Sequence, residues 1–544
     1  MAQSTTKIRK RKLREGRELR PRPETHVAAS GAWLHLSAWQ WTGAALLVAA
    51  AFLRLYQLTE KVLHHDEGVN GLFMTNLFRT GYYHYDPSNY HGPTLYYAGL
   101  ITTTLNAVFY GKYGLSTFAV RLVTAIFGIA LVWLFLCLRR QLGTFGAISA
   151  GLLAGVSSGL VFFSRYFIHE ILFVFFTLGV VVALLRYRET RQPKYLFLTA
   201  ASLALLGATK ETWIITVVVW VMALLCMQGW MYLRGRRTEA PPAIRPANTA
   251  LLQQESTKQL YATAALIFIA VWVLFYSSFF TNFPQGLYDS VKTFTYWFKT
   301  GRTDDLGDLT TYLRWLVGGP FATRGPKAGA ELAAMALGFV GSLVALVQAR
   351  SRFAVFGAFW SLGIFAAYSL VPYKTPWLAL SIVVPFIIMA GYGLEQMYRR
   401  SRFRVLAIAL LATATAGSLY QAIDLSFNSY DDETQPYSYA HSKRDFLILV
   451  DEVEHIAAGN PAGKNVEIAV LAVEHWPLPW YLREFSHVGY YGKVMPATEP
   501  IVIAQESQLA ELRRVLGDKY REFSAHELRP GVKLYVFLRN DVQP

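Results

Sequence analysis

Apolar residues fall along this chain in blocks close to the length of a membrane-crossing helix, about 20 residues. Eleven blocks are predicted helices of that kind: 37–58, 118–138, 143–163, 168–187, 195–208, 212–233, 260–280, 332–347, 353–371, 377–397 and 403–422. The fifth and eighth are short for a full crossing. The linkers are of two sorts. Short ones are basic: Arg139-Arg140, the RYRETRQPK stretch, the RGRR stretch, Arg350 with Arg352, and YRRSRFR. Long ones, at 59–117 and 281–331, are polar and aromatic. From residue 424 onward the rhythm changes. The pattern there predicts a helix at 446–457, strands at 466–473 and 501–504, a helix at 506–516 and a strand at 533–538, which together read as a small α/β domain. No internal repeat is evident, nor the inverted symmetry of many secondary transporters.

Composition and charge sharpen this picture. The chain has 544 residues, 53% of them hydrophobic and only 16% charged. An ordinary soluble protein carries about 25% charged residues. A soluble enzyme, a disordered chain and a fibrous protein are excluded. The net charge of 52 − 36 = +16 is spread in short runs between apolar blocks, which argues against a nucleic-acid partner. Cys137 and Cys226 lie in apolar blocks and read as small hydrophobic residues rather than a disulfide. The first 36 residues hold the basic run KIRKRKLREGRELRPR with no small-residue cleavage site after it. Basic residues near spans stay in the cytoplasm. With this tail inside, alternating spans put every short basic loop inside as well. The 59–117 and 281–331 loops and the 424–544 domain then face outward. The expectation is a multi-pass plasma-membrane protein of about eleven spans (37–423), with a cytoplasmic tail (1–36), an extracytoplasmic C-terminal α/β domain and membrane lipids as neighbours.

Candidate chemistry collects at the outer ends of the spans. Leu63-His64-His65-Asp66-Glu67-Gly68 follows the first block. Adjacent acids at a membrane surface are costly unless solvated, paired or functional. A solvated loop, a general base acting on a hydroxyl and a metal site all fit this cluster. His91-Gly92-Pro93 followed by Leu95-Tyr96-Tyr97 reads as an interfacial helix start. Tyr82 to Asp86 is an aromatic stretch suited to sugar rings or to interface anchoring. Ser164-Arg165 with His169-Glu170 lies between the third and fourth blocks, Lys210-Glu211 between the fifth and sixth, and Tyr373-Lys374 between the ninth and tenth. Arg165, Lys210 and Lys374 thus share a membrane depth with three acids, as an anionic lipid phosphate requires. Each is equally a snorkelling anchor on its own.

In order, these motifs form a pattern: Asp-Glu opening a long first outer loop, His-Gly-Pro-x-x-Tyr-Tyr, Arg121 in Arg-Leu-Val-x-x-x-x-Gly, Ser-Arg with an acid five residues after the Arg, Ala-Thr-Lys-Glu, and Lys-x-Pro-Trp. The pattern resembles the GT-C membrane glycosyltransferases of the protein O-mannosyltransferase and aminoarabinose-transferase type. Within them it is most similar to the prokaryotic family labelled flippase activity-associated, whose outer domain carries a segment like Trp476-Pro-Leu-Pro-Trp-Tyr-Leu-Arg483. The resemblance implies a polyprenyl-phosphate-sugar donor and a protein, lipid or glycan acceptor at the outer face. It implies Asp66 as base, Glu67 as its partner and Glu170 as a second acid. Arg165, Lys210 and Lys374 match positions near the lipid phosphate. His65, His91, His169, Glu211 and Tyr373 flank these motif residues and are the further candidates for substrate contact, although the His64-His65 pair is not general in the wider family. No cofactor is assigned and no metal ligand set is named, though the chemistry leaves room for a divalent cation. A lipid-linked-sugar translocase and a non-catalytic subunit of a glycosylation complex are the alternatives.

Overall fold

The computed structural model describes residues 37–89, 91–235, 247–300, 307–318 and 329–542. The basic tail, most of the RGRR linker and parts of the 281–331 loop lie outside them. Among the described residues, eight helices are long and apolar enough to cross a membrane: Ala38–Leu55, Thr117–Cys137, Glu170–Thr190, Trp213–Leu233, Thr257–Tyr276, Arg352–Leu370, Pro376–Tyr398 and Ser401–Asn428. Three of the eleven expected spans are shorter apolar helices, Thr144–Val156, Pro193–Gly207 and Leu332–Gln348, so a count of eleven crossings is not confirmed.

The span expected at 143–163 is two helices, because the chain breaks at Ser157. Its hydroxyl accepts from Leu160 N–H and so caps a second helix, Ser158–Phe163. The fully buried Glu331 carboxylate then accepts from the Ser157 hydroxyl at 2.7 Å and from Gly159 N–H at 2.8 Å. Pro376–Tyr398 is the centre of the bundle, with 89% of its apolar stretch buried, against 11% for Thr257–Tyr276, which presents its side chains outward.

Among the described residues, three of the basic linkers sit at the ends of helices that pack together. Arg140 pairs with Glu189 at 2.9 Å, and Glu395 accepts both from Arg399 and from Gly146 N–H. The 59–117 segment is not open loop. It holds the helices His65–Thr80 and Thr94–Tyr110. Pro93, with φ −76°, immediately precedes the second of these.

The C-terminal part carries a five-stranded sheet in the order β2-β1-β3-β5-β4: β1 Ile468–Val470, β2 Val488–Tyr490, β3 Ile501–Gln505, β4 Tyr520–Arg529 and β5 Val532–Arg539. β1 pairs in parallel with β2 and β3, and β5 pairs antiparallel with β3 and β4. One face packs on the Leu509–Leu516 helix through Leu471, Val502, Leu512 and Phe537. The helix Asp445–Gly459, buried through Phe446, Leu449, Val453 and Ile456, packs against β4. β3 is buried along both faces at Ile501, Val502, Ile503 and Ala504. The expected strand at 466–473 shortens to three residues. β2 and β4 were not expected, since YREFSAHELR shows no apolar alternation.

The sheet domain is seated on the first outer helix. A Cβ on Gly68 would stand 2.6 Å from the Pro477 side chain, and one on Gly71 would stand 2.5 Å from the Trp480 ring. These two glycines, one helical turn apart, open a groove that takes the Leu478–Tyr481 turn of the outer domain. Trp480 is buried there, and its indole N–H faces the Thr117 hydroxyl at 3.3 Å. Tyr481 accepts from Leu63 N–H through its hydroxyl at 3.0 Å. Gly43–Pro544 is one compact unit.

Candidate active site

The His65–Thr80 helix begins with a reciprocal cap. The His64 ring accepts from Asp66 N–H at 3.1 Å, and the Glu67 carboxylate accepts from His64 N–H at 3.0 Å. His64 is pinned in turn by its other ring nitrogen, 2.9 Å from the Tyr439 carbonyl. This cap fixes Asp66 at the helix start, on the wall of a cavity of about 220 Å³.

Glu67 does not reach that cavity. It is fully buried and takes a two-pronged ion pair from Arg121, 2.8 Å to each oxygen, plus a bond from Phe167 N–H at 2.9 Å. Burial pulls the Glu67 pKa up, but the Arg121 charge and hydrogen bonds, with help from Lys61, outweigh it and hold the carboxyl below its ordinary value. The other Arg121 donors go to the carbonyls of Leu58, Lys61 and Val62. The Arg121–Glu67 pair therefore ties the preceding loop to the helix that carries Asp66.

The facing wall comes from two segments that meet as a short antiparallel bridge, His91 against Lys210. Gly92 N–H donates to the Thr209 carbonyl at 3.0 Å, and the Thr94 hydroxyl to the Ala208 carbonyl at 2.7 Å. Only glycine fits at 92, because a Cβ there would fall 2.0 Å from the Ala208 oxygen. Across this bridge Lys210 pairs with Glu170, and the His91 ring stands 3.2 Å from Glu211. Burial acts to lower the Lys210 pKa, but Glu170 and Glu211 more than offset it and raise it, so the ammonium stays charged. His169, whose Nε2 lies 3.0 Å from the Gly92 carbonyl, has its pKa driven down by burial and then by His91 and Lys210. His65 is likewise lowered to about 4, mainly by burial. Both imidazoles are neutral at neutral pH.

His65, Asp66, His91, His169, Glu170, Lys210, Glu211 and Tyr373 therefore line one cavity, together with Asn70, Trp297, Tyr368 and Trp377. Asn70 is held by the Tyr96 hydroxyl at 2.8 Å and by its own bond to the Phe167 carbonyl at 2.9 Å. Arg165 and Lys374 are not part of this wall. The Arg165 guanidinium donates to the carbonyls of Tyr56 at 2.6 Å and Gln57 at 2.8 Å, just past the Ala38–Leu55 helix. The Lys374 ammonium donates to the carbonyls of Tyr368, Ser369 and Val371, closing the Arg352–Leu370 helix. A helix end leaves its last carbonyls without partners, and these two cations supply them. Lys210 is the one Lys or Arg among the described cavity residues. Among the described residues, no group of three or more His, Cys, Asp and Glu side chains is arranged to hold a metal ion.

The aromatic stretch after the first outer helix alternates, with Tyr82 and His84 exposed and the two tyrosines between and after them packed inward. Tyr83 and Tyr85 are buried, and the Tyr85 hydroxyl meets the Thr293 hydroxyl at 2.5 Å. Nothing in the spacing of motifs points to the Arg529 contact with the site. Its guanidinium lies 3.3 Å from the His65 ring nitrogen and pairs with Glu474. Trp297, from the aromatic 281–331 loop, and Trp377, from Lys-x-Pro-Trp, are cavity residues that the motifs alone do not assign.

A family model described as dolichyl-phosphate-mannose-protein mannosyltransferase matches residues 89–285. That stretch, well under half of the chain, contains His91, Glu170, Lys210 and Glu211 but begins after Asp66. The crystal structure of ArnT from Cupriavidus metallidurans bound to undecaprenyl phosphate aligns over 93% of this chain and 100% of that chain, at 14% identity and TM-score 0.62. ArnT in the apo state aligns over 92% and 97%, at 14% identity and TM-score 0.53. The chain thus has the ArnT-like GT-C fold. The S. cerevisiae Pmt1-Pmt2 complex bound to the sugar donor aligns over 47% of this chain and 35% of that chain, at 20% identity and TM-score 0.35, too little to argue from. No curated protein matches the sequence.

Proposed function

We propose that this chain is a membrane glycosyltransferase that moves a sugar from a polyprenyl-phosphate donor to an acceptor hydroxyl at the extracytoplasmic face. One observation carries the reading: Asp66, Glu170, Lys210 and Glu211, from three distant segments, share a single cavity. The family-model match over 89–285 and the ArnT-like fold support the same chemistry.

The Asp66 carboxylate accepts the proton of the acceptor hydroxyl as that oxygen attacks the anomeric carbon. The bond from the anomeric carbon to the phosphate oxygen breaks, and its electron pair leaves with the polyprenyl phosphate. A single displacement of this kind inverts the anomeric centre. Lys210, kept charged by Glu170 and Glu211, meets the charge developing on the departing phosphate. Glu67 acts through position, holding the first turn that presents Asp66. Neutral His169, whose Nε2–H is taken by the Gly92 carbonyl, has its other ring nitrogen left to accept from a sugar hydroxyl, and the His91 ring stands beside it. The lipid tail lies between spans, and no nucleotide is needed.

The test is sugar transfer by purified protein supplied with polyprenyl-phosphate-sugar. Asp66→Asn keeps the shape of the side chain and removes its basicity, so transfer is expected to fall by about 10²–10⁴-fold, the range for a general base. Unchanged transfer in that variant removes Asp66 from the mechanism. Sugar-lipid flipping in liposomes that survives the substitution, with no transfer by the wild type, assigns the chain to translocation instead.

A further inference from the structure

Beside the cavity, on the outer domain, three rings stand in a row. The Trp476 and His475 centroids are 5.6 Å apart at 31°, and His475 and Tyr490 are 5.2 Å apart at 35°. The His475 ring is held by its nitrogen 3.0 Å from the Ala472 carbonyl. Trp476 lies 6.1 Å from His65, which lines the cavity next to Asp66. Along the same edge, Arg529 links Glu474 to the His65 ring. Docking of the domain explains only one end of this row. Pro477, Trp480 and one edge of Trp476 meet the Gly68–Gly71 groove, where a Cβ on Gly68 would stand 3.3 Å from the Trp476 ring, whereas half-buried His475 and exposed Tyr490 take no part in it.

We propose that Trp476, His475 and Tyr490 form an acceptor subsite for a neutral carbohydrate, whose hydroxyl is delivered past His65 to Asp66. This rests on the transferase reading above and deepens it: the acceptor is a glycan. At these spacings and tilts the rings form a stepped stack, and the exposed Tyr490 ring at its outer end offers a backed apolar shelf on which the C–H face of a pyranose packs. Arg529 and Glu474 neutralise each other, so the adjoining edge offers a donor and an acceptor for hydroxyls without a net charge. That suits a neutral sugar and gives nothing to an anionic headgroup. The rings are fixed before any ligand arrives, which lowers the ordering cost of binding. The shelf belongs to the outer domain and the base to the first outer helix, and the glycine groove holds the two in register.

Full-length protein in lipid nanodiscs is tested by saturation-transfer NMR with mannotriose, cellotriose and chitotriose. Binding of at least one is expected, weakened roughly tenfold, the ratio set by loss of one stacked ring, in both Trp476→Ala and Tyr490→Ala. Tyr490→Ala guards against a folding defect, because that side chain is exposed on an edge strand. No binding by any trisaccharide, or binding that both substitutions leave intact, overturns the proposal. The two readings also fail separately. Glycan binding that follows the shelf in a protein that transfers no sugar supports the subsite and sinks the transferase. Transfer to a serine- or threonine-containing peptide at equal rates in wild type and both variants sinks the acceptor subsite and keeps the transferase.

Discussion

Removing the Glu67 carboxylate is the most demanding test of how this site is held. Glu67→Ala takes four hydrogen bonds from the first turn: two from Arg121, one from His64 N–H and one from Phe167 N–H. It also strands the Arg121 guanidinium, which has no exposed surface. Charge-assisted bonds contribute about 1.5–3 kcal/mol each, but these share partners and do not add. The better guide is the cost of breaking a buried pair from one side, about 3–5 kcal/mol. That is a large part of the stability of a typical fold, about 5–15 kcal/mol. The assay is reversible unfolding in mixed micelles, with transfer measured per folded molecule. The expected result is a loss of about 3–5 kcal/mol and a fall in transfer, because Asp66 loses its mooring. The paired replacement of Glu67→Leu with Arg121→Met removes both charges and should recover much of the stability without the activity. A loss below about 1 kcal/mol, the value of an exposed pair, would refute the assignment of Glu67 as the anchor of this turn.

Two further outcomes follow from the geometry. Lys210→Gln should raise the KM for the polyprenyl-phosphate donor, whereas Arg165→Gln and Lys374→Gln should lower the melting temperature and leave that KM near wild type; the comparison is read from donor titrations beside thermal melts. For His65, the folded value of about 4 lies below the ordinary 6.5, so the unfolded chain binds the proton first as pH falls. Its contribution is therefore fully present above pH 6.5 and is lost progressively down to pH 4, and His65→Gln should flatten stability across that window in melts taken from pH 7.5 to 4.

The apolar blocks were legible because hydrocarbon-length runs announce themselves in any sequence of low charge. The acids and Lys210 were legible because an ionisable residue at the end of an apolar block needs a reason to be there. What the sequence withheld was pairing. Glu67 and Asp66 are neighbours that only the family resemblance told apart, and nothing in their own chemistry did. In the fold Arg121, on a later helix, separates them by burying one and leaving the other at the cavity wall. Arg165 and Lys374 carry the same charge as Lys210 at the same depth, yet nearby carbonyls claim them, and a list of cations does not record which carbonyls lie within reach. The break at Ser157 escaped for a similar reason, since Glu331 lies far along the chain. β4 was hidden because its side chains alternate without an apolar face.

The glycine groove under Pro477 and Trp480 has a consequence for how the protein can be dissected. A soluble portion that merely capped a membrane core could be cut away, leaving a smaller protein with altered taste for its acceptor. Here the excised piece would leave behind a furrow lined by two residues without side chains, next to the turn that presents the carboxylate. Trimming the chain to its hydrophobic body would therefore unseat the chemistry itself, and the shortest active version of this protein should be nearly the whole of it.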